Sequence, residues 1–210
     1  MPSRRGAFLS FEGIDGAGKS TQVTRLAEHL RELGHKVITT REPGGSEGAE
    51  AIRALLVEGE PGRWSAQTEI LLFTAARRDH LEKVILPALE RGEIVVTDRF
   101  ADSTRIYQGA TRGDLRAMVD TLHDEMIGRD PDLTLILDCD PEAALQRGLA
   151  RKSGEDRFED MGLAFQQKLR AGFHARAAEA PERCRLIPGD RAPEAVAEEV
   201  AHAVLEHLDG

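Results

Sequence analysis

The chain has 210 residues, 40% hydrophobic and 31% charged with 4% aromatic, which suits one globular domain with an aliphatic core and excludes a low-complexity chain. Its formal net charge of −9 argues against polymeric nucleic acid as a partner but leaves room for one basic pocket that takes free nucleotides. No apolar stretch is long enough to span a membrane, and Cys139 and Cys184 lack metal-ligand or disulfide-framework spacing, reading instead as buried thiols of a reducing cytoplasm.

Residues 1–5 are basic, and the apolar run behind them is too short for a signal peptide. Residues 7–11, Ala-Phe-Leu-Ser-Phe, form a predicted buried strand. Residues 13–20, Gly-Ile-Asp-Gly-Ala-Gly-Lys-Ser, fit Gly-x-x-x-x-Gly-Lys-Ser, the phosphate-binding loop of P-loop nucleotidases. A helix is predicted over 21–33, with Val23, Leu26, Ala27, Leu30 and Leu33 on one face. The loop therefore lies between a strand and a helix N-terminus, where backbone N–H groups and about half a positive charge meet an anion. Gly13, Ile14, Asp15, Gly16, Ala17, Gly18, Lys19, Ser20 and Thr21 are the candidates for holding the donor nucleotide's phosphates. Lys19 can reach the β- and γ-phosphates and Ser20 can ligate Mg²⁺.

A second strand, 37–40, ends in Arg41-Glu42-Pro43-Gly44-Gly45, a turn whose arginine is either a solvated charge or a second phosphate contact. Helices are predicted over 47–57 and 68–90, with a surface turn at 59–62 between them. Phe73 follows Leu71 and Leu72 in the longer one, so periodicity makes it a core residue by default. The strand 94–97 runs into Asp98-Arg99, where a carboxylate can hold Mg²⁺ and an adjacent arginine can grip a phosphate through two N–H groups. The only tyrosine, Tyr107, follows in Ser103-Thr104-Arg105-Ile106-Tyr107-Gln108-Gly109, a packing segment on periodicity alone. A helix over 114–127, a strand over Leu133–Asp138 and a helix over 141–150 come next. Residues 151–160 are polar and charged and read as a mobile flap. With the helix before it, the flap carries the only concentrated basic group: Arg147, Arg151, Lys152 and Arg157. Phosphoryl transfer needs mobile cations and the exclusion of water, which favours a lid over a merely solvated loop. A helix over 163–178, a strand over 185–187 and a helix over 193–208 complete the alternation, which predicts a parallel sheet with helices on both faces. In such sheets ligands bind beyond the strand C-termini, where every polar cluster named above falls.

Taken together, FEGIDGAGKST, TREPGG, LLFTAAR, TDRFADSTRIYQG, LILDCDPEAAL and RKSGEDRFE, in that order, resemble the thymidylate kinase family; TREPGG and DRFADSTRIYQG are much more specific than the phosphate loop. The resemblance implies a P-loop nucleoside monophosphate kinase fold over residues 1–210, with a five-stranded parallel sheet and a short lid at about 147–160. It implies Mg²⁺-dependent phosphoryl transfer from ATP to dTMP, and a homodimer, whose interface the long 68–90 helix can supply. By resemblance, Phe73 stacks on thymine, Arg77 contacts its O4, and Ser103, Thr104 and Gln108 stand near the base edge. Tyr107 lies beneath the deoxyribose, Asp15 bonds the sugar 3′-hydroxyl, and Arg99 and Arg41 hold the acceptor phosphate. Asp98 joins Ser20 in the metal shell, and Gly189-Asp190-Arg191 borders adenine. Some members carry an arginine inside the phosphate loop. Here that position is Gly16, so the catalytic cation is expected from the lid, first Arg151, then Arg157 and Lys152, as in the bacterial lid-arginine type. The competing class, a regulatory GTPase, would need an Asn-Lys-x-Asp motif that the chain lacks; another small-molecule kinase is the nearer alternative.

Overall fold

The computed structural model describes residues 6–58, 62–110, 113–151 and 162–209, with nothing described for the side chains of 110 and 149–151. Five strands form one sheet in the order β2-β3-β1-β4-β5: β1 (Phe8–Glu12), β2 (Val37–Arg41), β3 (Ile94–Asp98), β4 (Leu133–Asp138) and β5 (Cys184–Pro188). All four pairings are parallel, with Phe11 opposite Asp98 and Leu135 across the central strand. The α/β architecture expected from the alternation is the one observed.

Parallel strands are covered on both faces, which is why β1, β3 and β4 read as nearly unbroken apolar runs. Alternation then sorts the side chains. Leu9, Phe11, Ile94 and Val96 face a large cluster that Leu26 and Leu30 of α1 (Lys19–Glu32), Leu169 and Phe173 of α8 (Gly162–Glu179), and Val200 and Val204 of α9 (Pro193–Asp209) complete. Phe8 and Val95 face a smaller one with Leu81, Ile85, Phe100 and Ile127, where the Phe8 and Phe100 rings meet edge-on at 4.9 Å. Glu12 closes the Phe8 face of β1 and is fully buried.

The 68–90 pattern resolves into three pieces: α3 (Ala66–His80), a widened π-helical turn over Leu81–Ile85, and α4 (Leu86–Glu90). Ser65 caps α3, its hydroxyl accepting from Thr68 N at 3.2 Å, so the helix starts earlier than periodicity placed it. The interruption falls just before Pro87, which has no N–H and whose ring crowds the carbonyl one turn back; the wider turn accommodates it. A second π-helical stretch, Arg105–Ala110, continues α5 (Ala101–Thr104) and carries Tyr107 and Gln108. The remaining helices are α2 (Glu47–Val57), α6 (Arg116–Met126) and α7 (Pro141–Arg151). Among the described residues no helix is long and apolar enough to cross a membrane.

Candidate active site

The phosphate loop leaves β1 after Glu12 and ends as α1 begins at Lys19. Gly13, Gly16 and Gly18 have φ of +135°, +80° and +91°, a backbone path closed to most side chains. Gly16 is constrained twice over, because a Cβ there would stand 1.9 Å from the Ala144 carbonyl oxygen of α7. Arg147, one turn further along α7, donates from Nε to the Gly16 carbonyl at 2.9 Å, so α7 braces the loop directly. The buried Lys19 ammonium donates to Gly13 O at 3.1 Å and Ile14 O at 2.9 Å, leaving one of its three N–H groups for a ligand. Burial pulls it down to about 8, reinforced by the Arg99 charge and opposed by Asp15 and Asp98. Ser20, on the loop's outer edge, donates to Asp98 Oδ2 at 2.8 Å, so the two predicted metal-shell oxygens stand side by side.

Beside the loop, at the C-terminal ends of β1 and β3, lies a cavity lined by Asp15, Glu42, Pro43, Arg53, Leu56, Val57, Phe73, Arg77, Arg99, Phe100, Ser103, Thr104, Tyr107 and Gln108. Eight of the nine predicted acceptor-site residues line it; Arg41 does not. Arg41 and Glu42 are successive residues leaving β2, so their side chains take opposite sides. Glu42 turns inward and is buried, whereas the Arg41 side chain is 57% exposed and reaches Glu50 at 3.3 Å. Arg53 of α2 lines the cavity instead, alongside Arg77 and Arg99, with Nη1 donating to the Pro43 carbonyl. Phe73 is half-buried in the cavity wall and belongs to neither apolar cluster, contrary to its default reading as core.

Arg99 adopts a left-handed backbone, φ +68°, unusual for a branched-off long side chain and held by its N–H bond to Phe11 O at 2.9 Å. Its guanidinium donates to Gly13 O (3.2 Å), Ser103 Oγ (2.9 Å), Tyr107 OH (3.2 Å) and Asp15 Oδ1, and lies 5.0 Å from the Tyr107 ring centre. Tyr107 OH in turn donates to Asp15 Oδ2 at 3.0 Å. Burial alone would raise Asp15, but the Arg99 and Lys19 charges outweigh it and hold the carboxyl below the usual range. Arg77, also buried, donates from Nε to Glu42 Oε2 at 2.7 Å and from Nη2 to Thr104 Oγ1 at 3.0 Å. Glu42 is completed by His80 Nδ1 at 3.1 Å, and His80 Nε2 meets Thr40 Oγ1 at 2.7 Å. Gln108 Nε2 donates to Glu69 Oε2 at 3.3 Å.

Glu12, Glu42, Arg53 and His80 are the residues that motif reading passes over. Arg53 has a signal: it interrupts the Ala49, Ile52, Leu56 stripe of α2 with a charge. Glu12 has one too, as the carboxylate that ends an apolar strand. Lys152 and Arg157 lie outside the described residues; Arg151 ends α7, and its side chain is not described.

The chain is similar to known proteins over nearly its whole length. Residues 11–200 match the family model described as thymidylate kinase. The chain is 67% identical over 203 residues to a thymidylate kinase from Dinoroseobacter shibae, covering 97% of this chain and 96% of that one. It is 53% identical to one from Caulobacter vibrioides, covering 97% and 98%. It also resembles the crystal structure of a thymidylate kinase from Ehrlichia chaffeensis, with TM-score 0.77 and 37% identity over 95% of this chain and 98% of that one.

Proposed function

The chain belongs to the thymidylate kinase family and is a dTMP kinase that uses ATP, and on that premise we propose how its residues divide the work. The donor's phosphates lie in the loop 13–20 with Thr21, on the N-terminus of α1 and the remaining N–H of Lys19. The acceptor lies in the adjoining cavity. The observation that carries this reading is the convergence of Asp15, Phe73, Arg77, Arg99, Ser103, Thr104, Tyr107 and Gln108 on one cavity against the phosphate loop.

Phe73 offers a ring face to thymine, and Arg77, immobilised by Glu42 and Thr104, offers its remaining N–H groups to the O4 edge. Tyr107 floors the sugar, and Asp15 takes the 3′-hydroxyl. Arg99 exchanges its two long 3.2 Å contacts for phosphate oxygens, with Arg53 opposite, while Arg41 stays on the rim. The acceptor oxygen is already anionic, so the rate comes from alignment and charge neutralisation, with no strong base at the acceptor.

The pair Ser20 and Asp98 would hold Mg²⁺: they bring two hard oxygens within 2.8 Å of each other beside the phosphate loop. Among the described residues no group of three His, Cys, Asp or Glu side chains is placed to hold a metal ion by itself. Bound there, Mg²⁺ supplies neutralisation of charge on the donor's β- and γ-phosphate oxygens.

The crowding at Gly16 supports the lid as the source of the catalytic cation, since no side chain at that point of the loop could project without striking α7. Arg151, at the end of α7, takes that role, with Arg157 and Lys152 behind it, in a lid at about 147–160 of a single domain spanning 1–210. The Gly189–Arg191 turn borders adenine in this reading, supported by Asp190 Oδ2 accepting at 2.6 Å from the N–H of Asp140, which directly precedes α7, the helix that braces the loop. A homodimer forms through the outer face of α3, where Leu71 is 52% exposed and Met126 of α6, whose carbonyl accepts from Arg78 at 2.7 Å, is 49% exposed. The two free, buried thiols suit a reducing cytoplasm, and the acidic body suits free nucleotides over polymeric nucleic acid. The test is ADP release with dTMP, dUMP, dCMP, dGMP and AMP at fixed Mg²⁺ and ATP. Turnover is expected chiefly with dTMP, with dUMP next because one methyl is worth about 1–3 kcal/mol. Equal turnover of purine monophosphates would overturn the assignment of Phe73 and Arg77.

A further inference from the structure

Glu12 is buried completely, yet no step above uses it. Its Oε1 accepts from the backbone N–H of Phe100 (2.8 Å) and Ser103 (3.2 Å), and its Oε2 accepts from the Ser103 hydroxyl at 2.6 Å. Ser103 lines the cavity, and its Oγ also accepts from Arg99 Nη1 at 2.9 Å. A serine hydroxyl has one proton. While Glu12 is ionised that proton is committed to Oε2, and Ser103 offers the cavity only a lone pair. A phosphate dianion held by Arg99 can only accept hydrogen bonds, so the lone pair repels it. If Oε2 carries a proton, the same contact runs in reverse: Oε2–H donates to Oγ, and the serine proton swings free to the cavity. The two N–H bonds to Oε1 serve both states.

We propose that Glu12 and Ser103 form a proton-coupled phosphate sensor, in which arrival of the acceptor's phosphate dianion drives Glu12 to take up one proton and turns the Ser103 hydroxyl toward the phosphate. The proton comes from the buffer acid. It enters from the cavity onto Oγ as the original Oγ proton passes to Oε2, and the buffer keeps the conjugate base. Glu12 is a positioning residue here and touches no substrate. Its poise is suitable: burial, with the Asp102 carboxylate of α5 adding repulsion, raises it to about 7, against the pull of Ser103, Arg99 and the Phe100 N–H. Lys19 of α1 faces it as a further positive charge. A group half-ionised near neutrality can gain a proton at little cost when a dianion arrives.

The inference rests on Arg99 holding the acceptor phosphate, and the experiment separates the two. Calorimetric titration of the full chain with dTMP at pH 7.5, in buffers of different ionisation enthalpy, counts protons exchanged on binding. The wild type is expected to take up about half a proton or more per dTMP bound, and none with thymidine. Free dTMP is already mostly dianionic at that pH, since a phosphomonoester's second pKa is about 6, so the ligand supplies almost none. Glu12→Gln copies the protonated state and is expected to abolish most of the uptake, leaving at most about a quarter of a proton that Lys19, held at about 8, can take, while binding dTMP at least as tightly; its affinity then loses most of the decline, approaching tenfold per pH unit, that the wild type shows above pH 7. Ser103→Ala, which removes the hydroxyl and leaves the carboxyl, is expected to cut uptake sharply. Absence of uptake in the wild type, or full uptake in Glu12→Gln, overturns the sensor, and undiminished uptake in Ser103→Ala removes the hydroxyl from it. If Arg99→Ala leaves dTMP affinity unchanged, the acceptor-site reading itself fails; if affinity falls while wild-type uptake is absent, only the sensor fails.

Discussion

At the residue scale the site is a set of buried charges, each held in place by its hydrogen-bond partners. Arg77 and Glu42 are 4% and 3% exposed at the side chain, so removing either leaves an uncompensated charge in the interior, a loss of about 3–5 kcal/mol. That cost explains why the arginine proposed to meet the base is fixed in place by Glu42 and Thr104. Phe73 is different: it packs in no core cluster, so its truncation falls on binding. Phe73→Ala is expected to raise KM for dTMP about tenfold or more, the worth of one stacked base, with kcat little changed; an unchanged KM would return Phe73 to a packing role. Glu12 leaves a mark on stability. Its carboxyl is raised from 4.5 to about 7 in the folded chain. Between those values the folded state keeps a proton that the unfolded chain has released, so stability falls as pH rises from about 4.5 to 7 and is level above. The fall is about 3 kcal/mol from this group. Urea unfolding of the wild type and Glu12→Gln at pH 5 and 7.5 is expected to show that the wild type loses about that much more between the two; parallel pH dependence would show that Glu12 does not titrate in this window.

At the element scale, the loop is legible because its backbone constraints coincide with glycine. Gly16 is the sharpest case, with φ +80° and the Ala144 carbonyl against the missing Cβ. Gly16→Ala must either shift α7 or reshape the loop. A loss of about 2–4 kcal/mol in stability is expected, with KM for ATP raised more than KM for dTMP. An alanine variant with wild-type stability would mean that α7 does not brace the loop. The π-helical stretch Arg105–Ala110 and the widened turn at Leu81–Ile85 were not legible. Periodicity gives nearly the same signal for a helix and for a helix with one wide turn, although Pro87 marked the place where the Leu81–Ile85 interruption is needed. Arg41 was misplaced for a related reason: the motif TREPGG carries both Arg41 and Glu42, and only the path of the chain leaving β2 decides which faces inward.

At the scale of the whole molecule, the phosphate loop and the cavity meet where β1 and β3 end, and α7 leads from the phosphate loop it braces to the proposed lid. Arg151→Ala is expected to lower kcat about a hundredfold or more while KM for dTMP stays near wild type; full activity would pass the role to Arg157 or Lys152. Leu71→Asp is expected to convert dimer to monomer in sedimentation equilibrium, and a persistent dimer would move the interface off α3. The order of elements, the parallel sheet and the phosphate loop were determined by the sequence alone, because apolar periodicity, glycine placement and the loop's Lys-Ser are local properties of the chain; the residues that line the cavity were named there only through resemblance to a family. Only the tertiary structure decided that Arg53 rather than Arg41 enters the cavity, that Phe73 is wall rather than core, and that Glu12 lies under Ser103. Those facts depend on which groups from distant parts of the chain meet in the interior, where the cost of leaving a charge or a hydrogen bond unmet selects one arrangement.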